Sequence, residues 1–162
     1  MPTYLNQDLG FDEVRWALGR KTSKYDALES FQGLPRKTLL PPRTLLYRLV
    51  YIVNGRYFDE VWWMPKSTFD ELLDDANRSQ HGGGRLFRNY VAQYMSLPSG
   101  DYQLSIVEIE LTESVYAWVG LSKPLFGRPG GMEQVFLPNL ANRGEPRTSA
   151  CARVVRTYWL KF

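Results

Sequence analysis

The sequence predicts an α+β chain, with helices at its start and middle and a mostly antiparallel sheet that is completed by its second half. Three observations carry this. The stretch "RTLLYRLVYIVNG" is rich in β-formers and closes on Asn54-Gly55, a strong hairpin signal. The stretch "KSTFDELLDDANRS" has helical spacing and a Ser/Thr start. Four strand-like segments then follow at 101–111, 114–121, 132–138 and 151–161.

Taken in order, "DLGFDEVRWALGRKTSKYDALESF" places Phe11, Val14, Trp16, Ala17 and Leu18 near helical spacing, with Asp12 and Glu13 suited to a first turn. Gly33, Pro35, Pro41 and Pro42 then predict an extended linker. The first strand follows, and "RYFDEVWWM" returns as its partner. In the mid-chain helix Ser67 or Thr68 is the expected N-cap, with Glu71 in the first turn. "HGGGR" reads as a loop, and "LFRNYVAQYMSL" as a second helix with strand as the alternative. The C-terminal "RVVRTYWLKF" alternates as an edge or penultimate strand with its arginines on a solvated face. The expected organisation is one domain over 1–162, with 1–40 as a helical extension and 43–162 as the core.

Composition narrows the function. The 162 residues are 44% apolar and 23% charged, enough for a real core. A net charge of +3, from 20 basic and 17 acidic residues, is too balanced to indicate nucleic acid. The one cysteine, Cys151, gives no disulfide framework, and the one histidine, His81, disfavours a His-based metal site or a Ser-His triad. His81, in a glycine-rich loop, reads as solvated. No apolar run approaches the roughly 18 residues of a membrane span, and the N-terminus lacks the pattern of a secretory signal.

Two features stand out chemically. Arg48 is the lone charge in an apolar strand, and a guanidinium there needs an anion. That anion is either a carboxylate, such as Glu108 or Glu110, or a ligand phosphate, which the planar fork suits. The second feature is "SKPLFGRPGGMEQVFLPN": Gly130 and Gly131 permit positive φ and close backbone approach, directly before Glu133 and Gln134. No Gly-Lys-Ser/Thr follows and no G-x-G-x-x-G is present, so neither nucleotide fingerprint applies. A tight corner and a ligand-presenting turn both remain open on these residues alone. Trp62 and Trp63 read as core.

Together, "LLYRLV", "NGRYF", "PKSTFDEL" and "YAWVGLSKPLFGRPGGMEQVFLP" resemble the ADP-ribosyltransferase-like fold, with its split, mainly antiparallel sheet. The likeness is nearest to NAD glycohydrolase toxin domains of the tuberculosis-necrotizing-toxin type, over roughly residues 43 to 139. The specific part is Phe126-Gly127-Arg128-Pro129-Gly130-Gly131, with Gln134 three positions after the second glycine. The sequence departs from the pattern at Met132, where such toxins often carry a third glycine.

The resemblance implies that NAD is the substrate and that no cofactor is needed. It assigns Gln134 and Arg48 as catalytic, Gln134 at the ribose and Arg48 at the pyrophosphate. Tyr57 or Phe58 stacks on nicotinamide, Phe126 lines the pocket, and Ser67, Arg128, Gly130 and Gly131 complete the binding set. Arg48 and Gln134 should then line one cleft; side chains far apart on opposite sides of the sheet would overturn the family reading. A neutral glutamine goes with hydrolysis, whereas a register slip presenting Glu133 would favour ADP-ribosyl transfer. The resemblance further implies action in the cytoplasm of a target cell after delivery, and an immunity protein that plugs the cleft, meeting Arg128 with an acidic loop. No membrane or nucleic-acid partner is expected. A non-enzymatic protein-interaction or nucleic-acid-binding module is the alternative of a different class.

Overall fold

The computed structural model describes residues 3–16, 26–51, 61–78, 104–123, 130–140 and 151–159. Among the described residues, seven strands form one sheet: β1 (Arg36–Leu40), β2 (Leu45–Tyr51), β3 (Trp62–Pro65), β4 (Leu104–Leu111), β5 (Val115–Leu121), β6 (Glu133–Phe136) and β7 (Ala152–Trp159). Their spatial order is β1-β5-β6-β3-β2-β4-β7, and every pairing is antiparallel. The helices are α1 (Phe11–Val14) and α2 (Lys66–Arg78), with a 3₁₀ turn at Ala27–Ser30. The α+β class and all four late strands are as the sequence predicts. The Asn54-Gly55 turn, the 86–97 segment and the His81 loop lie outside the described residues.

The sheet splits at its middle. Among the described residues, β2 and β3 join through two residue pairs, Leu46 with Pro65 and Tyr47 with Met64. Beyond them β2 runs on beside β4 as far as Tyr51, while Trp62 and Trp63 pair with Phe136 and Val135 of β6. Each half is thus held by its own ladder, and β3 is the hinge between them.

Strand alternation sorts the side chains onto two faces. One buries Leu46, Trp63, Val107, Ala117, Val135 and Ala152 in a single cluster. That cluster draws from both halves, so the sheet curls around it. The other face carries aromatic rings. Trp118, Phe136 and Trp62 line it, and Phe11 and Phe31 of the N-terminal segment settle on them at centroid distances of 5.3–6.2 Å. α2 covers the same face further along, its Phe69 ring stacked on Tyr47 at 4.0 Å.

Three expectations need correction. Among the described residues, 1–40 do not form a continuous helical extension: α1 is one turn, Asp26 is extended at φ −95° and ψ 115°, and Ala27–Ser30 form a 3₁₀ turn. Asp26 caps that 3₁₀ turn: its carboxylate accepts from the Leu28 N–H and binds Arg15 at 2.5–2.8 Å. Residues 36–40 are not a linker but edge strand β1, paired along β5, with Pro35 and Pro41 bounding it where no donor is needed. Finally, α2 starts at Lys66, so Ser67 and Thr68 lie inside its first turn rather than at the cap, and Glu71 lies past it.

The Arg15–Asp26 pair gives a pH prediction. Its hydrogen bonds to Arg15 hold the Asp26 carboxyl below the ordinary aspartate range. A lowered folded-state value contributes stability above the unfolded value, and that contribution fades as pH falls below about 4. Asp26→Asn should therefore flatten the acid limb of a melting-temperature profile and leave the neutral limb merely offset downward.

Candidate functional site

The site is built at the mouth of the β5–β6 hairpin. Ser122, just after β5, donates its N–H to the Met132 carbonyl at 2.8 Å and accepts the Gly131 N–H at 2.7 Å. Both glycines have positive φ, 63° at Gly130 and 89° at Gly131. Their requirements differ. A Cβ on Gly130 would lie 2.7 Å from the Lys123 carbonyl group and from the Ser122 oxygen, so a side chain there collides with backbone. A Cβ on Gly131 would meet nothing closer than the Gln32 amide nitrogen at 3.9 Å, so only backbone strain opposes one. Gly130 is therefore a packing glycine, and Gly131 faces an open side.

Gln134 follows in β6, opposite Gly120 of β5. The glycine matters, because Phe31 closes over it: a Cβ at 120 would lie 2.9 Å from the Phe31 ring. Gln134 shares the aromatic face with Phe136. It is only 4% exposed, and its Nε2 donates to the Ser30 carbonyl at 2.7 Å. That carbonyl also accepts the Lys123 N–H at 2.9 Å. Among the described residues, Gln134 Oε1 accepts no hydrogen bond. The expectation that Gln134 stands in a solvent-filled cleft is thus corrected, because the N-terminal segment lies against it.

Glu133 faces away and is exposed. Its carbonyl accepts the buried Thr68 hydroxyl at 2.8 Å, which ties the start of α2 to β6 and pins the strand's register. Ser67, one residue earlier, is exposed in the first turn of α2.

Arg48 lies on β2 opposite Val107 of β4, where the sheet splits. By alternation it belongs to the face of Leu46 and Trp63, and Gln134 to the other. The structure therefore does not bring the two side chains onto one face, which corrects the expected shared cleft and removes that support from the resemblance. It does bring the guanidinium to the seam, since Arg48 Nη1 donates to the Trp62 carbonyl at 2.9 Å. Trp62 in turn pairs with Phe136, two positions along β6 from Gln134. Glu108 and Glu110 stand opposite Tyr47 and Leu45, on the other face from Arg48. Glu110 binds Arg153 at 2.8 Å, and the buried Glu108 lies 3.5 Å from Arg156.

Tyr57, Phe58, Phe126 and Arg128 lie outside the described residues. Sequence reasoning missed the Ser30 carbonyl, whose only sequence signal is that a buried strand glutamine must find an acceptor for its amide. It also missed the orphaned indole N–H of Trp63, which is 1% exposed. Among the described residues no cluster of three or more potential metal ligands forms, and no helix is long and apolar enough to cross a membrane.

No protein-family profile matches the chain, and no curated protein matches it. Solved structures do. A chain from the complex of Rhs1-CT with its cognate immunity protein RhsI1 aligns with a TM-score of 0.55 at 17% identity, covering 91% of this chain and 97% of that one. A chain from the structure of Tne2 in complex with Tni2 aligns with a TM-score of 0.49 at 14% identity, covering 81% of this chain and 97% of that one. At such identities the likeness is one of fold alone, shared with a chain of the Rhs1-CT–RhsI1 complex over nearly that chain's whole length.

Proposed function

We propose that the protein is a toxin-type NAD glycohydrolase, with Gln134 at its reacting centre. One observation carries the reading: a glycine turn leads to a glutamine whose amide N–H is committed and whose carbonyl oxygen remains an acceptor, on the strand next to the split. The reaction breaks the bond between ribose C1′ and the nicotinamide nitrogen, and the bonding electron pair leaves with neutral nicotinamide. Water captures the ribosyl cation and releases a proton, giving ADP-ribose. Gln134 Oε1 is suited to accept the ribose 2′-hydroxyl hydrogen and to lie close to the developing positive charge.

Arg48 is assigned to the pyrophosphate only where the sheet opens, since a ligand touching both residues must cross the seam between β2 and β3. Phe126, Tyr57 or Phe58 as the nicotinamide wall, and Ser67, Arg128 and Gly131 at the phosphates, belong to the same proposal. So does a single NAD-binding domain whose partner is an immunity protein seated over the site; the shared fold with a chain of a toxin–immunity complex supports that kind of partner. Hydrolysis is favoured over ADP-ribosyl transfer because Thr68 fixes the register that turns Glu133 outward.

Incubation with NAD tests the reading: free nicotinamide should appear with no mass added to any protein. Arg48→Ala should raise KM for NAD about tenfold, the loss of one charge-assisted contact. It should also lower the melting temperature, because the Trp62 carbonyl at the seam loses its donor. A variant with unchanged KM would remove Arg48 from the site.

A further inference from the structure

We infer that the N-terminal segment is part of the site, with the Ser30 carbonyl as the positioning group that sets which end of the Gln134 amide meets the substrate. The inference rests on the glycohydrolase reading above and extends it to a segment outside the resemblance. A primary amide has a donor end and an acceptor end that can exchange by rotation of about 180° at little cost. A ribose hydroxyl that donates needs the oxygen, and an amide presenting Nε2 would offer the wrong group. Ser30 resolves the choice, because a carbonyl can only accept, so Nε2 must face it.

The carbonyl is itself held. The Lys123 N–H bonds it from the strand side. Phe31 bridges to Ser122, and Gln32 donates its backbone N–H to the Leu121 carbonyl and its side-chain Nε2 to the Ser122 carbonyl. The segment is thereby added to the edge of the same hairpin mouth that carries the glycine turn. One end of β5 fixes both the turn and the acceptor that aims the glutamine.

Gln134→Glu separates this from a role in which any acceptor suffices. A carboxylate cannot donate to Ser30, and two oxygens would face each other in a buried place. The contact returns only when the carboxyl is protonated, which raises its pKa. Among the described residues, the elements packed against the position carry few charges to alter this. Asp26 is bound to Arg15, Lys66 to Asp70, and Glu29, Lys123 and Glu133 are exposed, while β3 contributes none.

The experiment measures nicotinamide release and melting temperature for wild type and Q134E from about pH 5 to pH 8. A carboxyl with a raised folded-state pKa contributes most below its unfolded value and loses that contribution as pH rises. Q134E should therefore be at least about tenfold slower than wild type at pH 8 and approach it at pH 5. Its melting-temperature deficit should widen over the same range. Gln134→Met, similar in volume but without a donor, should be inactive at every pH. Q134E activity equal to or above wild type at pH 8, or a melting deficit independent of pH, overturns the inference while leaving the hydrolase reading intact. Wild type that releases no nicotinamide overturns the hydrolase reading itself.

Discussion

Gln134→Ala should lower nicotinamide release by a factor on the order of a hundred or more, and it should also destabilise the protein. On the proposed glycohydrolase reading, the rate effect follows from removing a preorganised acceptor beside developing positive charge. The stability effect follows from burial. The side chain is 4% exposed and donates to Ser30, so truncation removes a hydrogen bond and leaves a small void. A cost of about 1–3 kcal/mol is expected, since the Ser30 carbonyl keeps its Lys123 donor and is not orphaned. For a chain of this size that corresponds to a melting-temperature drop of several degrees. Rate and stability should separate in a control: Glu133→Ala, altering an exposed side chain on the opposite face, should leave both near wild type. Activity lost in Glu133→Ala and kept in Gln134→Ala would instead indicate a transferase register.

Gly130→Ala should be the most destabilising conservative change at the site, at about 3 kcal/mol or more. Two costs coincide there, a φ of 63° and a methyl 2.7 Å from three backbone atoms that cannot move without breaking the Ser122 ladder. Gly33→Ala isolates the first cost. Its φ is 81°, but nothing lies within 4 Å of a Cβ, so about 1 kcal/mol of strain is all that is expected. Equal losses at the two positions, compared by denaturant midpoints, would show that crowding at the turn contributes little.

Legibility from sequence varied with how local the cause was. The four late strands were readable because alternation and turn residues are local signals, and Trp63 as core followed from the apolar strand around it. Of the helical spacing read in 8–31, the described residues keep one turn at Phe11–Val14, while Asp26 is extended and uses its carboxylate to cap Leu28 and bind Arg15. β1 was misread because prolines at both ends suggested a linker, although they are compatible with an edge strand. The turn and glutamine were found as a motif, whereas the contact between Gln134 and Ser30 spans 104 positions and leaves no local trace. The shared cleft for Arg48 and Gln134 failed for a similar reason. Which face each occupies depends on registers across β2, β3 and β6, and a single strand's alternation does not supply them.

On the proposed reading, Gln134, aimed by the N-terminal segment, supports water's cleavage of NAD. Nicotinamide release from NAD by purified wild type and by folded Gln134→Ala, compared at equal concentration and neutral pH, tests it most directly. The account predicts steady release by wild type with ADP-ribose as co-product, and a loss of about a hundredfold or more in the variant. Release at equal rates by both, or none by wild type, would contradict it.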